Sequence, residues 1–557
     1  MRARDWVLHG SALAAILAFG AVAPAEAAPA HKKPAHKAAR TAREDHMTTL
    51  ASDVQALKGN LAAETAARVA LQAQVQAASA RADAAEAAAS SARSELAAFQ
   101  DAQIKTIPAQ VAAEVKKERP TDAFYMRGVK ITPGGYLELA GIYREHNLAN
   151  DISTAFNTIP FPITPQGHLA EYRFSARQSR IAALVEGKVT SDITLSGYGE
   201  FDFQAAAQTA NSNESNSYNP RIRQLYGTVD WADSGWHLLA GQTYSLVVLD
   251  SKGITPRNEV IPVTIDGQYT VGFTWTRQPI VRLTKDLLDK HLWISVSAEN
   301  PQTTFTGAVP PGVIVTINNG AGFFAGATNT LLPATQSLNH VPDFVAKVAV
   351  EHDIGAHHLH AEVLGLARDF YQRYTGLTNK DVWGGGLGAG LSFQVIPGLF
   401  DVQASGLWGQ GIGRYATGQL PDVTFAANGQ IKPIHESVFL LGGVVHATKA
   451  LDVWAYGGQE RASRAAYGTS FGYGNPNFLN TGCEIEGSAP TTCIGNTRVL
   501  KEVSAGVWDT FYAGFWGQAR VGLQYSYIER DAFSGVGGAP KAHENMVLTS
   551  FRYYPFQ

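Results

Sequence analysis

The chain has 557 residues, a formal net charge of −3, 17% charged residues and 54 Gly, 20 Tyr, 25 Phe and 10 Trp, against only 4 Met and 2 Cys. That is too little charge for an ordinary soluble enzyme, and there is no basic surplus for nucleic acid. Glycine and aromatics at the expense of charge suit a β-barrel whose outer face meets lipid, a composition also open to a large soluble β-protein.

Arg2 and Arg4 precede a short apolar run, Leu13 to Val22, and Ala25-Glu26-Ala27 is a small-x-small cleavage site. Residues 1–27 therefore read as an export signal, with Ala28 the mature start. The run is too short to span a bilayer, and no later stretch approaches the ~20 apolar residues of a membrane helix. Residues 28–44, rich in Pro, Ala, His and Lys, form a basic disordered linker. It is a solvated spacer or, alternatively, a contact for an anionic periplasmic polymer such as peptidoglycan.

From Asp45 to Gln103 the chain is Ala-rich and heptad-patterned. One seam position carries Val54, Leu61, Arg68, Val75, Ala82, Ala89 and Leu96; the other carries Leu50, Leu57, Glu64, Leu71, Ala78, Ala85, Ala92 and Phe99. Three-and-four spacing over seven heptads predicts an α-helical coiled coil on the periplasmic side; the heptads do not fix the number of strands, and a parallel three-stranded coil is the expectation. Its small Ala knobs bury little, so partner chains must be held together elsewhere. Ile107-Pro108 and Glu118-Arg119-Pro120 end the helix, and 104–133 reads as a linker.

From Gly134 the period becomes two. Ile193, Leu195, Gly197, Gly199, Phe201 and Phe203 share one face, and Thr194, Ser196, Tyr198, Glu200, Asp202 and Gln204 the other. Phe344, Ala346, Val348 and Val350 alternate with Val345, Lys347, Ala349 and Glu351; the segments 268–275 and 515–524 follow the same pattern. Short turns, such as Thr190-Ser191-Asp192, Gly355-Ala356 and Lys449-Ala450, are interleaved with long polar loops near 145–171, 205–220, 247–266, 301–341, 411–433 and 463–497. Short turns at one end and long loops at the other predict a transmembrane antiparallel β-barrel over 134–557, with about sixteen strands. Its last strand, Phe551 to Phe556, is aromatic.

Inward parity selects candidate pore-lining residues. Arg180, Arg282, Lys347, Arg368 and Arg520 fall on polar strand faces, as do Glu200, Asp202, Glu351 and Glu362. Lys252 and Arg257 lie in the loop after Leu246, so the segment Val247 to Asp266 is expected to fold inward and narrow the lumen. Basic lining favours anions and acidic lining cations, so this mixed lumen gives anion preference as an expectation. Cys483 and Cys493 share one loop of an exported chain and are expected to be disulfide-bonded; a redox or metal pair is the alternative.

Gly468-Thr469-Ser470-Phe471-Gly472 has the spacing of a hydrolase nucleophile elbow, but it stands in a Gly/Asn loop without a following helix pattern. Glu351, His352, Asp353, His357, His358, His360 and Glu362 read as turn-proximal polar residues, with a metal site as the alternative. Gly384, Gly386, Gly388 and Gly390 line one strand face, leaving bare wall against which an inserted backbone can pack. No catalytic group and no cofactor are expected.

Gln178-Ser179-Arg180-Ile181, the strand Thr194 to Phe203 and Ala240-Gly241-Gln242-Thr243-Tyr244-Ser245-Leu246, placed after a heptad segment, resemble the DcaP-like trimeric outer-membrane porins. The resemblance covers nearly the whole mature chain; Gln557 departs from it by following the expected terminal Phe. It implies a sixteen-stranded trimeric barrel with an N-terminal coiled coil, set in lipid and lipopolysaccharide, passing dicarboxylates and similar small anions. A phosphate-selective porin, a barrel enzyme and an envelope tether or adhesin are the competing readings.

Overall fold

The computed structural model describes residues 123–556 except 205–218, 308, 319–334 and 375, together with scattered residues between Gln55 and Ser94. It divides into two units at Arg119/Pro120. In the first, the described residues are helical and exposed. The export signal, the basic linker, every coiled-coil seam position and the prolines that end the helix lie outside the described residues.

The second unit is a closed antiparallel barrel of sixteen strands. They are β1 (Val129–Arg144), β2 (Glu171–Ser175 continued by Arg180–Lys188), β3 (Ile193–Asp202), β4 (Arg221–Trp231), β5 (Trp236–Tyr244), β6 (Arg277–Leu287), β7 (Leu292–Glu299) and β8 (Asp343–Ile354). After these come β9 (His357–Tyr374), β10 (Asn379–Ile396), β11 (Phe400–Gln410), β12 (His435–His446), β13 (Leu451–Ala462), β14 (Thr497–Gly514), β15 (Gly517–Ala532) and β16 (Lys541–Tyr554). Each strand pairs with the next, and β16 returns to β1 in the register Leu137↔Tyr553 to Arg144↔Met546. Closure leaves no unpaired edge, which a hydrocarbon surround would penalise. No helix among the described residues is long and apolar enough to cross a membrane, a statement that does not bear on strands.

The period-two pattern becomes two faces. On β8, Phe344, Val348 and Val350 are exposed outward, while Asp343, Val345, Lys347, Ala349 and Glu351 are buried inside. On β16, Val547 and Phe551 face out, with Met546, Leu548 and Ser550 inward. The first strand starts at Val129, five residues ahead of Gly134. The turns gather at one end of the barrel and the loops at the other; two of the loops, 375–378 and 533–540, are short.

The segment 268–275 is not a strand, contrary to its alternation. It belongs to one long loop, 245–276, here called L3, between β5 and β6. Positive φ at Tyr269 (68°) and Gly272 (89°) interrupts extended backbone, and Thr270 and Thr274 are as buried as Val271 and Phe273. Likewise Phe515 and Trp516 form the turn before β15, which begins at Gly517. Cys483 and Cys493 are disulfide-bonded, closing a ten-residue separation in the loop 463–496.

Candidate functional site

L3 crosses the interior of the barrel, and wall side chains satisfy its backbone. Leu246 N donates to Glu299 Oε1 (2.9 Å) and Asp250 N to Glu362 Oε2 (3.3 Å), and Gly253 N donates to Glu351. On other strands, Val271 N donates to Glu502 Oε2 (2.8 Å), Gly272 N to Glu460 Oε1 (2.9 Å) and Val263 N to Tyr456 OH (3.3 Å). Trp508 Nε1 donates to Val263 O at 2.8 Å. An inserted loop would otherwise bury unpaired N–H groups, so inward glutamates on five strands serve as its acceptors. Two wall glycines make room. A Cβ at Gly458 would collide with Val271 O, and one at Gly390 would stand 2.6 Å from Leu249 Cδ1.

The second inserted segment is 411–434. Arg368 Nη1 binds Asp422 Oδ1 at 2.7 Å and its Nε binds Asp343 Oδ2 at 3.1 Å, while Tyr415 OH donates to the same Asp343 oxygen at 2.8 Å. Trp275 N donates to Tyr415 O at 2.9 Å, so this loop braces the end of L3.

Between L3 and the wall of β1–β3 and β14–β16 lies a cavity of about 500 Å³. Arg180, Arg520 and Arg552 line it with Tyr136, Tyr198 and Trp508, and the acids on its lining are Glu200 and Asp266. Trp508 carries the Arg520 and Arg552 guanidiniums at 4.2 and 4.5 Å from its ring centroid, and Arg180 stands 5.2 Å from the Tyr136 ring. Stacking on aromatic faces holds the guanidiniums in place. Arg552 Nε also meets the buried Glu138 Oε1 at 3.0 Å, while Arg180 and Arg520 stand 3.9 Å from Glu200 and Asp452. Nearby, Arg223 binds Glu200 Oε1 (2.5 Å), Asp202 Oδ2 (3.1 Å) and the Tyr244 and Tyr269 hydroxyls (3.2 and 3.1 Å). Arg277 sits 5.2 Å from the Trp275 ring centroid, and its Nε and Nη1 are buried without a protein hydrogen-bond partner.

The field this creates is positive. Burial pushes the Tyr269 phenol up, but Arg223, Arg277 and Arg180 outweigh it and hold it below the usual tyrosine range. The L3 carboxyls move the other way. Burial pushes Asp266 up, and burial together with Asp250 pushes Glu259 up to about 7. The loop thus opposes the arginines with less negative charge than its sequence suggests.

The sequence-selected residues separate into groups. Arg180 and Arg520 line the cavity, and Glu200 and Asp202 are buried acids held by Arg223. Lys252 and Arg257 are exposed on L3, with Arg257 Cζ 5.7 Å from the Tyr198 ring centroid. Arg282 is buried on the inner face of β6. Lys347 and Arg368 are fully buried and hold loops: Lys347 Nζ meets Glu362 Oε1 at 2.9 Å and Asp250 Oδ2 at 3.1 Å. Sequence reading missed Arg223, Arg277 and Arg552. Only Arg552 keeps inward parity, whereas Arg223 turns inward at a bulge between β3 and β4 and Arg277 shares the parity of the exposed Val281 and Leu283.

In the histidine cluster, His360 bridges Glu351 (2.6 Å) and Glu362 (3.0 Å), supporting the two carboxylates that hold L3. Ser470 lies in the tight turn between two three-residue strands, Ala465–Tyr467 and Phe471–Tyr473, with no helix after it.

No family model matches the sequence, and no curated protein matches it. Among solved structures, the outer-membrane channel DcaP of Acinetobacter baumannii superposes with a TM-score of 0.55 at 18% identity, over 77% of this chain and 99% of that one. The barrel shares the fold of DcaP. Pseudomonas putida OprB gives a TM-score of 0.42 at 10% identity, over 76% of this chain and 94% of that one. Salmonella typhi OmpF gives 0.41 at 11% identity, over 78% and 99%.

Proposed function

We propose that this protein is an outer-membrane porin through which small polar solutes diffuse passively, with preference for small anions such as dicarboxylates. The observation that carries the anion preference is the set of Arg180, Arg520 and Arg552 around the cavity beside L3, stacked on Tyr136 and Trp508. A guanidinium offers a planar pair of donors to a carboxylate, and in a narrow lumen it acts at contact range without full salt screening. DcaP, whose fold the barrel shares, is described as an outer-membrane channel. Residues 1–27 act as a cleaved export signal, 45–103 as a periplasmic coil, and three chains assemble in a bilayer of phospholipid and lipopolysaccharide. The channel uses no covalent chemistry.

The test is reconstitution of the full mature chain into planar bilayers under a potassium chloride gradient. The reversal potential is expected on the side of chloride permeability, with succinate reducing the current. A cation-selective reversal potential overturns the anion reading, and failure to form channels overturns the porin reading. Stronger block by inorganic phosphate than by succinate favours the phosphate-selective alternative.

A further inference from the structure

At the loop end of the barrel seam, β1 runs out at Arg144 and β16 begins at Lys541. Glu145 and His146 lie just past β1, and His543 and Glu544 near the start of β16. The donor atoms of Glu145, His146 and His543 all lie within 4.8 Å of one another. His146 Nδ1 is 3.4 Å from Glu544 Oε2, and His543 Nε2 is 3.6 Å from Glu145 Oε2. With metal–nitrogen and metal–oxygen bonds of about 2.0–2.2 Å, the edges of a zinc tetrahedron are roughly 3.3–3.6 Å. Two opposite edges of such a tetrahedron are therefore already close to length.

A second observation separates this group from a surface charge cluster. Glu544 is fully buried, and its Oε2 has no hydrogen-bond partner; His146 Nδ1 is likewise buried without one. The other oxygen, Oε1, is fixed by His146 N at 2.9 Å. Glu145 Oε2 accepts from Asn545 Nδ2, and the two imidazoles meet edge to face with centroids 5.4 Å apart. The buried carboxylate oxygen faces only the imidazole nitrogen, at 3.4 Å, and a cation held between them would bridge the pair.

From this geometry we propose that Glu145, His146, His543 and Glu544 form a zinc-binding site that ties the first barrel strand to the last at its loop end. Two imidazoles with carboxylates select a borderline transition-metal ion over magnesium or calcium, which take all-oxygen sets. The ion would fix the root of the loop 145–170. That loop reaches the lumen, where Thr154 N donates to Asp266 Oδ1 of L3 at 3.1 Å.

Calorimetric titration of zinc chloride into the detergent-folded full chain tests this. One saturable ion per chain is expected, with no heat from magnesium or calcium. His543→Ala, at an exposed position, is expected to weaken zinc binding at least about 10- to 100-fold, the scale on which disturbed ligand shells lose metal. His168→Ala, at a histidine elsewhere among the loops that pairs with Glu486, is expected to leave it unchanged. Zinc should also delay heat conversion of the folded band in detergent gels for the wild type and not for His543→Ala. Absence of saturable zinc binding, or wild-type affinity in His543→Ala, overturns the site.

Discussion

Lys347 Nζ lies 3.1 Å from Asp250 Oδ2, joining the wall of β8 to the inserted loop where the lysine side chain has no exposure and the aspartate 4%. Glu362 Oε1 stands on the same ammonium at 2.9 Å, so one buried cation holds two acids from different parts of the chain. Burial pushes Asp250 up against the pull of Lys347, and the ion pair offsets part of that desolvation.

Replacing Lys347 by methionine leaves Asp250 and Glu362 buried without their cation. Removing one partner of a buried pair costs about 3–5 kcal/mol. The loss falls on the docking of L3, because the barrel's own ladder is intact. Single-channel records of Lys347→Met should show larger and noisier currents from a barrel that still resists unfolding in detergent gels. Quiet currents of wild-type size would refute the pin.

Glu259 supplies a pH dependence. Its carboxyl is raised from 4.5 to about 7 by burial and Asp250, with Arg282 pulling the other way. A raised folded value means its stabilising contribution is full below the unfolded value and is lost as pH rises through about 7. Raising pH through neutrality adds negative charge to L3, so anion preference should fall between about pH 6 and 8. Glu259→Gln should flatten that profile in reversal-potential measurements.

Arg520→Gln removes a guanidinium from the cavity at a side chain 19% exposed, without opening a core position. The reversal potential should shift toward cations, and block by succinate should weaken. A Lys252→Gln/Arg257→Gln double variant should shift it in the same direction but less. Both residues are exposed on L3, and charges facing open electrolyte are screened within about 8–10 Å. Equal shifts would mean that L3, not the wall, sets selectivity.

Reduction of Cys483–Cys493 should loosen the loop 463–496 and spare the barrel. A crosslink closing so short a loop contributes roughly 3 kcal/mol. That contribution is local: Ile163 N donates to Cys483 O at 2.9 Å and Gly487 N to Ile163 O at 3.0 Å, so the stapled segment packs on the loop 145–170. Under reductant, limited proteolysis should nick 463–496 first, while the heat-induced gel shift stays where it was.

The sequence by itself determined the wall. Side chains alternate strictly along a strand, so the pairing of Phe344 with Val345 and of Val348 with Lys347 on opposite faces needed no tertiary information. Counting the alternating segments from Gly134 then led to about sixteen strands. What the sequence left open was the content of the lumen. Parity put Lys347, Arg368, Glu351 and Glu362 inside, but whether an inward residue meets water or a loop depends on chain hundreds of positions away. Tyr269 to Trp275 mimicked a strand because its large residues alternate; only inside the barrel, with both faces buried and φ positive at Tyr269 and Gly272, is it a loop. Arg223 and Arg277, in turn, gain significance only from Tyr244, Tyr269 and Trp275 beside them, a proximity set by L3's path. Local periodicity is a property of one strand's backbone, whereas occupancy of the interior is decided by long-range hydrogen bonds and ion pairs that leave no periodic trace.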